Sequence, residues 1–205
     1  MRVLCIFNYL NQLNADWVNA MKRVSPEVLI MLHEATGPLF CEHYASLDLM
    51  DTAIYAVDWA GESESRNWMH IAREYTEKFL HQQQIRDAVN KPGLMTRELF
   101  CPFIDIFMMG LPHTYRDVAA DNGKSICVTI TGDIGGSWYL IRDANKWQLS
   151  KDTTGKPSAE VSIDPDTAWK LFSKSLRPAQ VRHQITLKGD LFLAEKALTM
   201  VSVMA

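Results

Sequence analysis

The stretch IRDAVNKPG, residues 85–93, divides the chain into two parts of different character. A helical pattern ends at Asn90, and Pro92 and Gly93 follow directly, as they do at many helix ends. Apolar residues recur at helical spacing before this stretch, whereas short β-branched and aromatic runs separated by Gly, Asn and Asp follow it. The sequence therefore predicts a helical domain over residues 1–93 and a small α/β domain over residues 94–205.

Three helices are predicted in the first part, over about residues 5–23, from Pro26 onward and over about residues 66–89. Ser25 is the expected cap of the second helix, which Gly37-Pro38 should kink or split. The apolar face of the first helix is expected to hold Leu10, Leu13, Trp17, Val18 and Met21. An antiparallel bundle closes more naturally with four helices, so we expect either a missing helix or a homodimer in which a second copy supplies it.

The second part mixes helices with short strands. The helices are expected at about 97–110, 165–173 and 191–201, and the strands at 125–131, 138–142, 147–150, 159–163 and 182–187. The glycine-rich run 131–136, TGDIGG, lies between two strands and leads into no helix, so it predicts a hairpin turn rather than a phosphate-binding loop. This order of elements is typical of the α+β class, with helices over one face of a sheet.

Composition and charge exclude several classes of function. Hydrophobic residues make up 47% and charged residues 22% of the 205 residues, which is typical of a chain that folds throughout. The net charge of -3, with scattered Lys and Arg, argues against a nucleic-acid partner. No apolar stretch approaches the ~20 residues that span a bilayer, and the amino terminus lacks a signal-peptide cleavage pattern. The four cysteines form no CxxC pair, so we expect reduced thiols, a cytoplasmic location and no membrane partner.

The third predicted helix carries the pattern with the most chemical content. His70, Glu74, Glu77 and His81 stand at relative positions 0, 4, 7 and 11, which places them along one stripe of an α-helix. Glu77 and His81 could ligate one divalent metal through a carboxylate oxygen and an imidazole nitrogen. Gln84, one turn further on, could contact a metal-bound ligand or cofactor.

The same spacing has a simpler interpretation. A Glu and a His four residues apart on a helix often form a solvated surface pair, and from spacing alone this interpretation is the stronger one. His33 and His43 on the second helix could face the same cavity as the metal site, but a single helical histidine is more often structural. The tryptophans Trp138, Trp147 and Trp169 are expected to fill the core of the second part.

Several runs of the chain resemble one family. They are LNQLNADWVNAMKRVSPEVLI (10–30), WMHIAREYTEKFLHQQQIRDAVNKPG (68–93), GGSWYLIRD (135–143), DTAWKLFSK (166–174) and KGDLFLAEKALTMVSVMA (188–205). Together they resemble the mycothiol-dependent maleylpyruvate isomerase family, which joins a DinB-like helical bundle to a small domain similar to sterol carrier proteins. The resemblance implies zinc or another divalent metal held by Glu77 and His81, and a low-molecular-weight thiol such as mycothiol as cofactor. The family's early histidine ligand has no counterpart here, so we expect an incomplete site.

Three hypotheses about function follow from these patterns. The resemblance implies a thiol-dependent isomerase or transferase that acts on a small electrophilic substrate, with the metal lowering the pKa of the thiol. The second hypothesis is a non-catalytic or degenerate metal-binding module that has lost its third ligand. The third is a carrier of apolar ligands, similar to sterol carrier proteins.

Overall fold

A computed structural model describes residues 2–152 and 155–202 of the chain. The α-helices are α1 (Arg2–Met21), α2 (Pro26–Ala45), α3 (Asn67–Ala88), α4 (Arg97–Met108), α5 (Leu111–Thr114), α6 (Pro165–Phe172), α7 (Pro178–Val181) and α8 (Leu191–Ala197). The strands are β1 (Ser125–Ile130), β2 (Gly136–Asp143), β3 (Lys146–Ser150), β4 (Ala159–Ile163) and β5 (Thr186–Gly189). Two 3-10 helices cover Asp58–Ala60 and Arg182–Gln184. The predicted α+β class is confirmed.

The chain divides into two compact units, Met1–Leu47 and Asp48–Ala205. The first unit contains α1 and α2. Ser25 caps α2 as predicted, because its hydroxyl accepts a hydrogen bond from the backbone N–H of Val28. The α-helix continues unbroken through Gly37 and Pro38, so it is not split there.

The apolar face predicted for the first helix is not buried. Leu13, Trp17 and Val18, which were expected to point inward, are all more than half exposed. Two helices offer too little surface to enclose a core between them, since bundles enclose one with about four. A homodimer that covers this face stays a prediction.

The second unit joins the long helix α3 to everything that follows it. Phe79 of α3 stacks on Phe103 of α4, with 4.3 Å between the ring centroids, and both are buried in the large core cluster of this unit. These aromatic rings pack across residues 93 and 94, where the sequence predicts the domain boundary, and that boundary stays a prediction.

The sheet has the strand order β3-β2-β1-β4-β5. β1 and β2 form an antiparallel hairpin joined by residues 131–135, so the glycine-rich run is a turn as predicted. β1 pairs with β4 in parallel, and the remaining neighbours are antiparallel. A parallel neighbour needs a connection that crosses over, and here the hairpin β2–β3 and the chain after it supply that connection.

One face of the sheet is covered by helices. Ile126, Val128 and Ile130 of β1 alternate along the strand and are almost fully buried on this face. The register sets Val128 opposite Trp138 of β2 and beside Val161 of β4, so one apolar row crosses three strands. Helix α8 packs over β4, β5 and β1, and α5 packs over β3.

Two elements at the carboxyl end differ from the sequence prediction. Arg182–Gln184 is a 3-10 turn, so the strand expected at residues 182–187 is β5, Thr186–Gly189. The closing helix ends at Ala197 rather than near residue 201. After Ala197 the backbone N–H groups of Leu198, Thr199 and Met200 donate to carbonyls three residues earlier, as in a tightening last turn. Further on, the buried Ser202 side chain donates a hydrogen bond to the carbonyl of Phe107 in α4. Within the described ranges, no helix has both the length and the apolarity to cross a membrane.

Candidate functional site

Helix α8 buries one of its faces and leaves a large apolar side chain exposed near its start. Asp190 caps the helix, with its carboxylate accepting a hydrogen bond from the N–H of Leu193 at 3.2 Å. Ala194 and Ala197 are almost completely buried, and such small side chains let α8 lie close to the sheet. Phe192, by contrast, is 72% exposed. A large aromatic side chain in solvent beside a core is a candidate contact for an apolar ligand.

A surface pocket of about 560 Å³ lies beside Phe192. Its apolar lining comes from Ala119, Ala120, Phe192 and Leu193, and its polar lining comes from Asp121, Lys124 and Asp190. The loop before β1 thus forms one wall and the start of α8 forms the other. The lining is mixed, with three charged side chains beside the apolar ones, and Phe192 is its large apolar side chain.

Two buried aromatic residues fix the wall of this pocket. Tyr115 is fully buried and its hydroxyl donates a hydrogen bond to the carbonyl of Leu193, which links the end of α5 to α8. Burial raises the pKa of Tyr115, so the hydroxyl stays protonated and remains a donor. Trp147 of β3 packs edge-on against Tyr115 and donates from Nε1 to the carbonyl of Val118 at 2.9 Å. The segment leading into the pocket loop is therefore held on both sides.

Glu77, His81 and Gln84, the predicted site residues of the third helix, lie close together. In α3, Nε2 of His81 is 3.4 Å from Oε2 of Glu77, and Nδ1 of His81 is 3.1 Å from Oε1 of Gln84. The His81 side chain is 68% exposed, whereas that of Glu77 is 30% exposed. Burial raises the pKa of Glu77, and the nearby His81 partly offsets this shift. The geometry is that of a surface pair, and the roles of Glu77 and His81 as metal ligands and of Gln84 as a cofactor contact stay predictions.

The other candidate histidines are placed separately. His70 of α3 lies 3.1 Å from a guanidinium nitrogen of Arg73, which also pairs with Glu74 at 2.9 Å. His33 and His43 lie on α2 in the first unit and are exposed. The stripe predicted along α3 is thus divided between one group around Arg73 and another around His81.

The predicted core tryptophans are all buried. Trp138, Trp147 and Trp169 lie in the core of the second unit, as expected. Trp138 donates from its indole N–H to Asp105 of α4 at 2.8 Å, so its buried polar atom has a partner.

Comparison with known proteins finds a matching family for most of the second part of the chain. Residues 111–201 match the SCP-2 sterol transfer family. The matched segment runs from α5 through α8 and includes the whole sheet, the pocket beside Phe192 and Tyr115. The part of the predicted resemblance that concerned sterol carrier proteins is therefore confirmed.

Three solved structures illustrate the similarity. A UbiJ-SCP2 ubiquinone synthesis protein is 15% identical, with a TM-score of 0.34, over 48% of this chain and 96% of its own. The sterol carrier protein domain 2 of Helicoverpa armigera is 19% identical, with a TM-score of 0.35, over 46% and 80%. Sterol carrier protein 2 like 2 from Aedes aegypti is 13% identical, with a TM-score of 0.34, over 48% and 99%. Comparison with curated proteins gives no significant match.

These findings correct the predicted functional class. The classification as a metal-binding, zinc- and mycothiol-dependent isomerase of the maleylpyruvate isomerase family, with a DinB-like bundle, is wrong. The family that matches is one of sterol transfer, and residues 2–152 and 155–202 contain no group of three or more His, Cys, Asp or Glu that could hold a metal ion.

The sequence patterns did not single out the residues around the pocket. Phe192 lies in the run LFLAEKALTM, which the sequence predicts as part of a closing helix without indicating that Phe192 faces outward. The signal was present, because Leu193, Ala194 and Ala197 have the spacing of one buried helix face and leave Phe192 on another. Tyr115 offered no such signal, since its partner Leu193 lies 78 residues further along the chain.

Proposed function

We propose that the region of residues 111–201 binds and carries a small apolar ligand, with the pocket beside α8 as its contact site. The observation that carries this proposal is the match of that region to the SCP-2 sterol transfer family. The proposal concerns a binding function and requires no catalytic group. A cytoplasmic location and a homodimer stay predictions of the sequence.

The exposure of Phe192 supports this choice of pocket on energetic grounds. An aromatic side chain buries 150–250 Å² when fully covered, so covering a ring that is 72% exposed removes roughly 130 Å² from water. At ~25 cal/mol per Å², that burial contributes about 3 kcal/mol to binding. The same free energy corresponds to about a hundredfold change in dissociation constant.

Leu191 extends the apolar surface at this end of the helix. It is 52% exposed and directly precedes Phe192, so the first turn of α8 presents two large apolar side chains to solvent. Asp121, Lys124 and Asp190 at the pocket give it polar groups that could orient a ligand with a polar end.

The test is direct binding of a fluorescent fatty acid and a fluorescent sterol to the full chain. We expect wild-type protein to bind at least one of them, and Phe192→Asp to weaken that binding by about a hundredfold, because a carboxylate replaces the covered ring. Ile54→Asp is the matched control, since Ile54 is 83% exposed in the same unit but does not line the pocket. The control should bind as wild type does.

Two outcomes would overturn the proposal. If the wild-type chain binds neither probe and carries no lipid when native mass spectrometry is applied to the purified protein, the region is not a carrier. If Phe192→Asp and Ile54→Asp bind equally well, a carrier function stands but the pocket beside α8 is not its site.

A further inference from the structure

We propose that a second pocket, at the other end of α8, binds an anionic group, either a carboxylate or a phosphate. This pocket has a volume of about 290 Å³ and lies where the 3-10 helix Asp58–Ala60, α5 and the residues after α8 meet. The residues that carry the argument are Trp59, His113, Arg116 and Lys196. None of the predicted site residues on α3 lines it.

Lys196 supplies the positive charge. It lines the pocket and is half-buried, and within residues 2–152 and 155–202 its ammonium group has no ion-pair or hydrogen-bond partner. Lys170, by contrast, is already paired with Asp87 and Asp166. A half-buried ammonium group without a counter-charge favours an incoming anion, because partial desolvation strengthens their attraction.

Arg116 adds a second cation at the rim. Its Nη1 donates to the carbonyl of His113 at 2.8 Å, and its Nε lies 3.4 Å from Asp117. These contacts hold the guanidinium group in place and leave Nη2 without a partner among the described residues. A carboxylate or phosphate oxygen is the acceptor that such an N–H group binds most strongly.

Trp59 contributes an unused hydrogen-bond donor. Its indole N–H is buried and has no acceptor among the described residues, while its ring packs edge-on against Phe107 at a centroid distance of 6.4 Å. Buried N–H groups without an acceptor are uncommon in native proteins, and because this nitrogen is closed to solvent, a ligand oxygen reaches it only when the Trp59 side chain moves. The hydroxyls of Thr114 and Thr199 donate to backbone carbonyls at 2.8 and 2.7 Å, so they serve only as acceptors.

His113 completes the wall of the pocket. Gly61, with φ of 82°, lets the loop after the 3-10 helix close over the imidazole, because a Cβ there would lie 2.8 Å from Nδ1. Burial and then Arg116 lower the pKa of His113, while Asp117 and Asp58 act in the opposite direction. Asp117 pairs with Arg116 and Asp58 is exposed, and within the described residues neither forms an ion pair with Lys196.

An anion at this pocket would extend the chemistry of the proposed carrier function without depending on it. A free phosphate or short carboxylate supplies the required group, and so does the head group of an anionic lipid. The volume of about 290 Å³ accommodates such a group but not a whole lipid. Phe192 and Lys196 lie at the two ends of α8, so an amphipathic ligand would find apolar and cationic contacts on the same helix.

The experiment titrates the full chain with inorganic phosphate, with dodecyl phosphate and with dodecanol. We expect at least one of the two phosphates to bind, Lys196→Gln to weaken that binding about tenfold, and Trp59→Phe to weaken it several-fold. Lys188→Gln is the matched control, because Lys188 of β5 is exposed and does not line the pocket. Circular dichroism confirms that each variant is folded.

The two sources of the anion give different results. Binding of inorganic phosphate that Lys196→Gln weakens supports a site for free anions, and loss confined to dodecyl phosphate supports a site for a lipid head group. If neither phosphate binds, or if Lys188→Gln and Lys196→Gln have the same effect, the anion site is refuted. Dodecanol separates this result from the carrier function, because its binding should depend on Phe192 and not on Lys196.

Discussion

Replacement of Gly189 by Ala should destabilise the second unit well beyond the cost of an ordinary glycine substitution. Gly189 ends β5 and precedes the cap of α8, and its φ of +74° lies in the left-handed region. A Cβ at this position would lie 2.2 Å from the carbonyl oxygen of Ser158, which accepts a hydrogen bond from the N–H of Asp190 at 2.9 Å. The chain must therefore move where it connects the sheet to α8.

The expected magnitude is a sum of three contributions. The left-handed backbone costs an alanine about 1 kcal/mol. Relieving the contact requires a shift of about 0.8 Å, from 2.2 Å to the 3.0 Å below which real Cβ contacts are essentially absent, and this breaks the bond between Asp190 and Ser158 at a cost of about 1 kcal/mol. Displacement of β5 and α8 from their packed positions adds roughly 1 kcal/mol. We expect the free energy of unfolding to fall by about 3 kcal/mol.

Urea denaturation followed by circular dichroism measures this change, with Gly123→Ala as the matched control. Gly123 has a φ of +83°, and a Cβ there would meet nothing within 4 Å. The control should therefore lose only the backbone contribution of about 1 kcal/mol. Equal losses for the two variants would refute the steric reasoning, because they differ chiefly in the contact with Ser158.

Two further predictions concern ionisable groups. Burial raises the pKa of Glu77 above its ordinary value of 4.5, so ionisation of this carboxyl disfavours the folded state. The stability of the wild-type protein therefore falls as the pH rises through the raised pKa. Glu77→Gln should be at least as stable as wild type at pH 7. That advantage should vanish in thermal melts below the ordinary pKa, and an advantage that persists there contradicts the explanation. Tyr115→Phe removes the hydrogen bond to Leu193 and should cost about 1–2 kcal/mol at neutral pH in urea melts. Because burial raises the pKa of Tyr115 above its ordinary 10.0, only wild type loses stability as pH rises past that value, so the difference between the proteins should narrow. A constant difference would show that Tyr115 ionises equally in both states.

Local patterns predicted most of the elements of the second unit. The strands β1 and β4 and the Asp164-Pro165 start of α6 were predictable, because strand composition, turn residues and helix capping involve neighbours within a few residues. The cap is seen directly, since the Asp164 carboxylate accepts from the N–H of Thr167 at 3.0 Å. Short elements such as α7 were missed, because four residues carry too little periodicity to detect.

The candidate sites were less accessible to sequence reasoning. The pair of Glu77 and His81 stood out because both residues lie on one helix, whereas the pocket beside Phe192 joins α8 to a loop about 70 residues earlier in the chain. The second pocket joins Trp59, His113 and Lys196, which no local spacing connects. A motif search favours residues that are close in sequence, so it selected the surface pair rather than either pocket.

The amino-acid sequence by itself determined the α+β class, the hairpin at residues 131–136 and the positions of most strands, because each depends on periodicity and turn chemistry over a few residues. Tertiary structure alone decided that β1 pairs with β4 in parallel, that Tyr115 meets Leu193, and that Phe192 remains in solvent beside a pocket. Those features depend on which distant segments exclude water from one another. The packing of the whole core decides which segments meet, and the sequence of a single segment does not specify its distant partners.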